Sequence, residues 1–219
     1  MKKCLLVLLL VLLMSGFGYS DNYKEEAQFN FSIEEFYDYQ KAFKSKEIAS
    51  CAYNRTKTYM DYRSTTATTS KQYIFIHENM TVDEKTGFLY DKDGFIGVAL
   101  GSYYGQIGDR FYFTLESGVV LPLVKVEEKA DVDTDASGCY HTNDSSVIEF
   151  VIDRYAAAAY FGNQGNGLVL NGNYNNYPLF SGQIVKVEQV LAEANDSYVS
   201  FSKLKNQTSE DIFYYAKGY

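Results

Sequence analysis

The feature that most constrains this chain is a long succession of short aromatic and β-branched runs, separated by clusters of Gly, Asp, Asn and Ser. Such runs are typical of β-strands, and the clusters are typical of tight turns. By composition, residues 91–94 and 116–118 are hairpin turns. Many short strands spaced this closely favour a small β-barrel or a β-sandwich. The predicted strands are Tyr73 to His77, Phe88 to Tyr90, Phe95 to Leu100, Arg110 to Leu115, Val119 to Glu127, Val147 to Ile152, Leu168 to Leu170, Gln183 to Val190, Tyr198 to Leu204 and Ile212 to Tyr215.

The region before these strands has a different pattern. Ser32 and Glu35 form an S-x-x-E capping box, and apolar residues follow at helical spacing. We therefore expect a helix from about Ile33 to Glu47 that packs on the body through a narrow apolar stripe. Because no linker rich in Pro or Ser interrupts the chain, the sequence predicts an N-terminal helical segment, 21–52, and one β-domain, 53–219.

The first twenty residues have the layout of a signal peptide. Lys2 and Lys3 precede an apolar run, 5–14, and Gly18 and Ser20 then stand at the −3 and −1 positions of a cleavage site. The apolar run is shorter than the roughly 20 residues that a bilayer span requires. We expect cleavage after Ser20, so residues 1–20 are removed. The mature protein is expected to be secreted, without a stable membrane span.

The charge of the mature chain excludes one class of partner. Loss of Lys2 and Lys3 takes the basic residues from 20 to 18 against 28 acidic residues, so the net charge is −10. Nucleic-acid binding is not expected, because it requires a concentrated basic surface. The sequence also lacks a Walker loop, a dinucleotide fingerprint and a G-x-S-x-G motif, so we predict neither a cofactor nor a serine hydrolase.

Four segments carry a resemblance to a known fold. They are Val98 to Tyr104, Ile107 to Asp109, Lys129 to Asp135 and Ser146 to Asp153. Their layout resembles a double-psi β-barrel, as found in the three-aspartate domain of bacterial cell-wall lytic enzymes, and in secreted hypothetical proteins of Gram-positive gut bacteria. The resemblance covers roughly residues 57 to 190. It implies a mainly β fold, a small six-stranded barrel, here with an N-terminal helix and extra C-terminal strands.

The resemblance also implies a chemistry. Asp131 matches the aspartate of the family's DTGG segment, and Glu149 matches the aspartate of its last strand. In the lytic enzymes, one acidic residue protonates the glycosidic oxygen and then helps the sugar's own hydroxyl to close an anhydro ring. Such an acid must be protonated near neutral pH, which requires an apolar or like-charged setting. Asp133 and Asp135 are expected to supply that setting for Asp131.

The chain departs from the family at two places. The family's first aspartate has no counterpart beside Gly97-Val98-Ala99, and the two glycines of the DTGG segment fall on Asp133 and Thr134. Those glycines would let a sugar approach the backbone closely. Their absence favours a non-catalytic cell-surface or cell-wall-associated module. The alternative is a peptidoglycan lytic transglycosylase-like enzyme that uses Asp131 as its acid. In either case peptidoglycan or another surface glycan is the expected partner, and Tyr103, Tyr104, Asp133 and His141 are the expected binding residues.

The remaining cysteines and the acidic run leave several alternatives open. Cys51 and Cys139 can form one disulfide, although sequence alone does not show that they are close. Asp131-x-Asp133-x-Asp135 begins like an EF-hand loop, but Ala136 and Thr142 stand where Gly and Glu are required. The run is therefore a solvated turn or a looser calcium site. His141 is a surface side chain, a partner of a nearby carboxylate or a metal ligand. A cysteine peptidase using Cys139 is the least favoured reading.

Overall fold

A sheet of nine strands organises the part of the chain that the computed structural model describes, which is residues 33–50, 55–162 and 173–191. All of these residues belong to one compact unit that begins at Phe31. The strands are β1 (Ser45–Ile48), β2 (Thr58–Asp61), β3 (Thr81–Val82), β4 (Leu89–Tyr90), β5 (Ile96–Leu100), β6 (Arg110–Leu115), β7 (Val120–Glu128), β8 (Glu149–Ile152) and β9 (Ile184–Val190). The α-helices are α1 (Lys71–Asn79) and α2 (Arg154–Ala157), and α2 continues into a π-helical turn, Ala158–Gly162.

The sheet forks at β5. The main path runs β1-β9-β6-β7-β5-β4-β3, and β8 pairs with both β5 and β2. At Ile96 the partner of β5 is β4, whereas at Val98 and Ala99 the partner is β8. The parallel strand β7 follows the other edge of β5. The mainly β prediction is therefore confirmed. The sheet formed by the described strands is open, so they do not show the predicted closed barrel.

The two predicted hairpin turns are confirmed. Residues 91–94 join β4 to β5, and residues 116–118 join β6 to β7. The first turn is tied to β6 by a buried ion pair, in which Arg110 Nε donates to Asp91 Oδ2 at 2.9 Å and the same guanidinium reaches Asp93 Oδ2 at 2.7 Å. Because the arginine and Asp91 are almost fully buried, removing either would leave an uncompensated charge in the interior.

The prediction of a strand from Tyr73 to His77 is wrong, because these residues lie in α1. The helix starts after Ser70, whose hydroxyl accepts a hydrogen bond from the backbone N–H of Tyr73 at 3.1 Å. Such a cap stabilises the first helical turn, and it outweighs the modest strand preference of aromatic residues. Phe75 and Ile76 are the buried residues of the helix.

The predicted N-terminal helix is also wrong. A single 3₁₀ turn, Ile33–Asp38, buries Phe36, and the chain then forms β1 on the edge of β9. A helix with so narrow an apolar stripe would gain little stability from packing on the body. Pairing with β9 instead gives the same residues backbone hydrogen bonds to a strand of the sheet. Several predicted features lie outside the described residues. They are the signal peptide, Ser32, Cys51, and the strands predicted at 168–170, 198–204 and 212–215.

Buried side chains cover both faces of the sheet. On one face Phe88 lies at the centre of an aromatic cluster, with four ring centroids 5.1 to 5.7 Å away. Tilted and edge-on ring pairs of this kind add stability beyond the area they bury. The other face packs against α1. The four neighbours of Phe88 are Phe150, Phe161, Tyr174 and Phe180, and the α1 face contains Phe75, Ile76, Val124, Val126 and Val151.

We predict that Phe88→Ala destabilises the fold by about 3–5 kcal/mol, because it removes a ring that contacts four others and leaves a cavity that packed neighbours cannot fill. Chemical denaturation of the mature protein measures this. Tyr37→Ala is the matched control, since that ring is 54% exposed, and its loss should change the free energy of unfolding by no more than about 0.5 kcal/mol. Equal losses in the two variants would contradict the assignment of Phe88 to the core.

Candidate functional site

Two glutamates face each other across β5. Ala99 pairs with Glu127 on β7 and with Glu149 on β8. Residues paired across neighbouring strands project from the same face of a sheet. Two strand spacings put the backbones of the glutamates about 10 Å apart, and the small, buried side chain of Ala99 lies between them. We call these residues the Glu127–Glu149 pair.

A bulge in the strand pairing brings Glu127 to this position. The partner of Val98 is Lys125, but the partner of Ala99 is Glu127, so one residue of β7 is skipped. Bulges re-aim side chains and are common beside functional sites. Without the bulge, Val126 would oppose Ala99, and the site would have one carboxylate fewer.

Glu127 is partly buried and is held by two side chains. The Thr65 hydroxyl donates to its carboxylate at 2.8 Å, and Gln72 of α1 also hydrogen-bonds to it. Burial raises the pKa of Glu127, and the negative charge of Glu149 adds to the increase, while the hydrogen bonds act in the opposite direction. A carboxyl group with a raised pKa, beside a second carboxylate, is the arrangement that general-acid catalysis uses.

Lys129 lies beside the other member of the pair. Its ammonium is almost fully buried and donates to the backbone carbonyl of Ser146 at 3.0 Å and to its hydroxyl at 3.1 Å. The carboxylate of Glu149 is 3.9 Å away. Burial lowers the pKa of Lys129, whereas Glu149 and Asp144 raise it. The pair therefore has two unlike surroundings, with hydroxyl and amide groups at Glu127 and an ammonium at Glu149.

Asp131, the predicted acid, lies elsewhere. It is exposed, in a 3₁₀ turn after β7, and accepts a hydrogen bond from the Ser102 hydroxyl at 2.7 Å. Among the described residues, no hydrogen bond or ion pair joins Asp131 to Glu149. The turn at Ser102 packs tightly on the loop beyond Asp131, since a Cβ on Gly101 would lie 1.9 Å from the carbonyl oxygen of Gly138.

Asp133 lies in the same turn as Asp131, and Asp135 follows that turn. Asp133 is exposed, and its backbone carbonyl accepts from Thr142. Asp135 accepts hydrogen bonds from the backbone amides of Cys139 and Tyr140 at 2.7 and 3.0 Å. Although burial opposes ionisation, these bonds and those from Ser137 hold the pKa of Asp135 at about 2. The carboxylate of Asp135 therefore organises the turn.

The predicted binding residues differ in accessibility. Tyr103 is 38% exposed, and its hydroxyl donates to the Ala49 carbonyl at 2.8 Å. Tyr104 is buried among Phe111 and neighbouring rings, so it is not available to line a glycan groove. His141 Nδ1 lies 3.6 Å from Asp144 Oδ1, which agrees with the carboxylate partner left open by the sequence.

Cys139 is disulfide-bonded and fully buried. The Tyr104 hydroxyl lies 3.4 Å from its sulfur. A bonded sulfur has no thiolate to offer, so the cysteine-peptidase reading is excluded. The predicted partner, Cys51, lies outside the described residues.

Two further observations concern metals and membranes. Within residues 33–50, 55–162 and 173–191, no three His, Cys, Asp or Glu side chains are grouped so that they could hold a metal ion. In the same ranges, no helix combines the length and apolar character needed to cross a bilayer.

Comparison with known families, with characterised proteins and with solved structures finds no match to this chain. The functional assignment therefore depends on the geometry of the Glu127–Glu149 pair.

The sequence predicts one member of this pair and misses the other. Glu149 is found through the resemblance of its strand. Glu127 lies at the end of the predicted strand from Val119, where an acidic residue also fits a solvated strand end. Neither the bulge nor the contacts of Thr65 and Gln72 have a local sequence signal.

We predict that Glu149→Gln lowers the pKa of Glu127 because it removes the neighbouring negative charge. Burial persists, so the pKa stays above that of an exposed glutamate. Titration of the side-chain carboxyl carbon by ¹³C NMR measures this. Asp131→Asn is the matched control and should leave the titration of Glu127 unchanged. The same midpoint in Glu149→Gln and in the parent would show that the two carboxylates do not interact.

We also predict that Cys51 is the disulfide partner of Cys139. The Tyr103 hydroxyl binds the carbonyl of Ala49, two residues before Cys51, and the Tyr103 amide donates to the Gly138 carbonyl at 3.1 Å. The two cysteine segments thus meet at one tyrosine. Mass spectrometry of a non-reduced digest should find the two peptides joined. A free thiol at Cys139 would contradict the prediction.

Proposed function

We propose that this protein is a secreted enzyme that cleaves a cell-wall glycan in the manner of a lytic transglycosylase, with Glu127 as its acid. The observation that carries the proposal is the placement of Glu127 and Glu149 in register on either side of Ala99, with the pKa of Glu127 raised by burial. General-acid catalysis of glycosidic cleavage uses such a pair of carboxyl groups.

The chemistry assigns a separate role to each carboxyl group. Glu127 donates its proton to the glycosidic oxygen as the bond from that oxygen to the anomeric carbon breaks. The Glu149 carboxylate stabilises the positive charge that develops on the sugar ring. A hydroxyl of the same sugar then attacks the anomeric carbon and returns its proton to Glu127, which closes an anhydro ring without water.

The resemblance to the three-aspartate domain supports the same proposal once Glu127 replaces Asp131. Strands β5, β7 and β8 meet at the site. Of these, β8 lies within a segment that carries the resemblance, β5 overlaps another, and β7 ends directly before a third. Ala99 lies in the segment that lacks the family's first aspartate. We further propose that the fold is related to the double-psi β-barrel. The position of β7 between β5 and β6, which are consecutive in the chain, supports that relation.

Secretion is part of the proposal. The N-terminal pattern of Lys2, Lys3 and an apolar run directs the chain out of the cytoplasm. A disulfide-bonded Cys139 supports an oxidising location, where such bonds persist. We propose the cell wall as the place where the mature protein acts.

A non-catalytic cell-wall module is the second candidate. Two observations favour it. Ala99 brings no carboxylate to the site, and the Lys129 ammonium lies 3.9 Å from Glu149, where it offsets part of the charge that the reaction would use. In this reading the Glu127–Glu149 pair binds glycan hydroxyls without cleaving the chain.

Digestion of purified peptidoglycan distinguishes the two candidates. We predict that the mature protein releases anhydro-sugar fragments, identified by mass analysis, and that Glu127→Gln reduces their release about 10²- to 10⁴-fold because the proton donor is lost. Activity should fall as the pH rises through the pKa of Glu127, since the acid must be protonated. Asp131→Asn is the matched control and should retain most of the activity.

Each contrary outcome has a defined meaning. Loss of activity in Asp131→Asn but not in Glu127→Gln would overturn the assignment of the acid. Absence of fragments from the parent protein would overturn the enzyme and leave the binding module.

A further inference from the structure

A row of aromatic rings and one arginine lies on the two chain segments that also supply the contacts of Glu127. The rings of Tyr73 and His77 stack with centroids 3.8 Å apart and planes inclined by 18°. The ring of Tyr62 lies 6.4 Å from His77, and the guanidinium of Arg63 lies 4.5 Å from the Tyr62 ring and 5.5 Å from the ring of Tyr155. We call these five residues the aromatic ribbon.

The ribbon is open to solvent. The Tyr155 side chain is 67% exposed and that of Arg63 is 43% exposed. His77 is exposed, whereas Tyr62 and Tyr73 are partly buried. Exposed aromatic rings are costly to leave in water, and a row of five groups in which each lies close to the next differs from the scattered surface aromatics of ordinary proteins.

The ribbon is held in place by ion pairs and by a hydrogen bond. Arg63 pairs with Asp61 at 3.2 Å and also with Asp153, so its guanidinium is fixed between the two tyrosine rings. His77 Nδ1 lies 2.9 Å from the backbone carbonyl of Tyr73, which fixes the imidazole in its stack. A preorganised surface loses little side-chain entropy when a ligand binds.

Two residues that contact Glu127 are near neighbours of ribbon residues in the chain. Thr65 and Gln72 hydrogen-bond to Glu127, Tyr73 follows Gln72 on α1, and Tyr62 precedes Thr65 by one short turn. Successive helical residues rise by about 1.5 Å and turn by about 100°, so Tyr73 projects from the side of α1 next to the one that Gln72 occupies.

We propose that the aromatic ribbon binds the glycan strand on which the protein acts, with pyranose rings lying against the tyrosines and leading into the Glu127–Glu149 pair. Sugar rings present C–H groups on their faces, and these pack against the electron-rich faces of aromatic rings. Arg63 adds hydrogen-bond donors for sugar hydroxyls and for carboxylates along the strand. This inference rests on the proposed glycan substrate.

Binding to purified peptidoglycan, measured by co-sedimentation on ice, tests the proposal separately from cleavage. We expect Tyr155→Ala and Tyr73→Ala each to weaken binding about two- to tenfold, the range that one aromatic contact supplies. Tyr37→Ala is the matched control, because Tyr37 is an exposed tyrosine outside the ribbon, 54% accessible. Thermal unfolding of each variant verifies that the fold is intact, and Tyr155→Ala is the variant least able to disturb it.

The outcomes test the proposed glycan binding by the ribbon independently of the proposed cleavage. Weaker binding of Tyr155→Ala, with Tyr37→Ala like the parent, supports the ribbon, and it does so even if the parent releases no anhydro-sugar fragments and the proposed cleavage fails. Unchanged binding of both ribbon variants, or an equal loss in Tyr37→Ala, overturns the ribbon even if Glu127→Gln abolishes digestion.

Discussion

The pairing of β5 with β4, β7 and β8 is the constraint on which the rest of the described structure depends. All five residues of β5 are buried, and the strand has the parallel β7 on one edge and two successive antiparallel partners on the other. The side chains of Ile96, Val98 and Leu100 enter the aromatic core, while Gly97 and Ala99 face α1. The small residues on that face leave room for α1 and for the two glutamates. A Cβ on Gly97 would lie 3.1 Å from the methyl carbon of Met80, so an added side chain there would require the end of the Met80 side chain to shift.

Three lysines with almost no exposure donate hydrogen bonds to backbone carbonyls in turns of the fold. Lys57 donates to the Gly182 carbonyl at 2.8 Å, and Lys125 donates to the carbonyls of Gly101 and Gly105, both at 2.9 Å. Lys129 does the same at the carbonyl of Ser146. Burial of an ammonium is unfavourable unless its protons are bonded, and it lowers the pKa of Lys57 to about 8. One of these lysines, Lys129, also provides the positive charge that lies 3.9 Å from Glu149.

The sequence predicts those parts of the fold whose signals are local. The β6–β7 hairpin follows from two runs of aromatic and aliphatic residues around a turn that contains Gly118, and β8 and β9 follow from similar runs. The strands β1 and β2 are missed because their partners are distant in the chain, and α1 is misassigned because the capping effect of Ser70 competes with aromatic strand propensity. At the site, Glu149 is predicted from its strand. Glu127 is not predicted, because a bulge in the pairing of β5 with β7 decides which residue of β7 lies opposite Ala99.

The close packing of Gly101 on the loop that contains Gly138 restricts how this surface can change. A Cβ on Gly138 would lie 2.1 Å from the Ser102 hydroxyl oxygen, just as one on Gly101 would strike the carbonyl of Gly138. The shape of each segment therefore depends on the close packing of the other against it. Transfer of the 131–139 loop onto another scaffold would succeed only if the turn at 101–104 were transferred with it. In homologous chains, substitutions in one of these two segments are expected to accompany substitutions in the other.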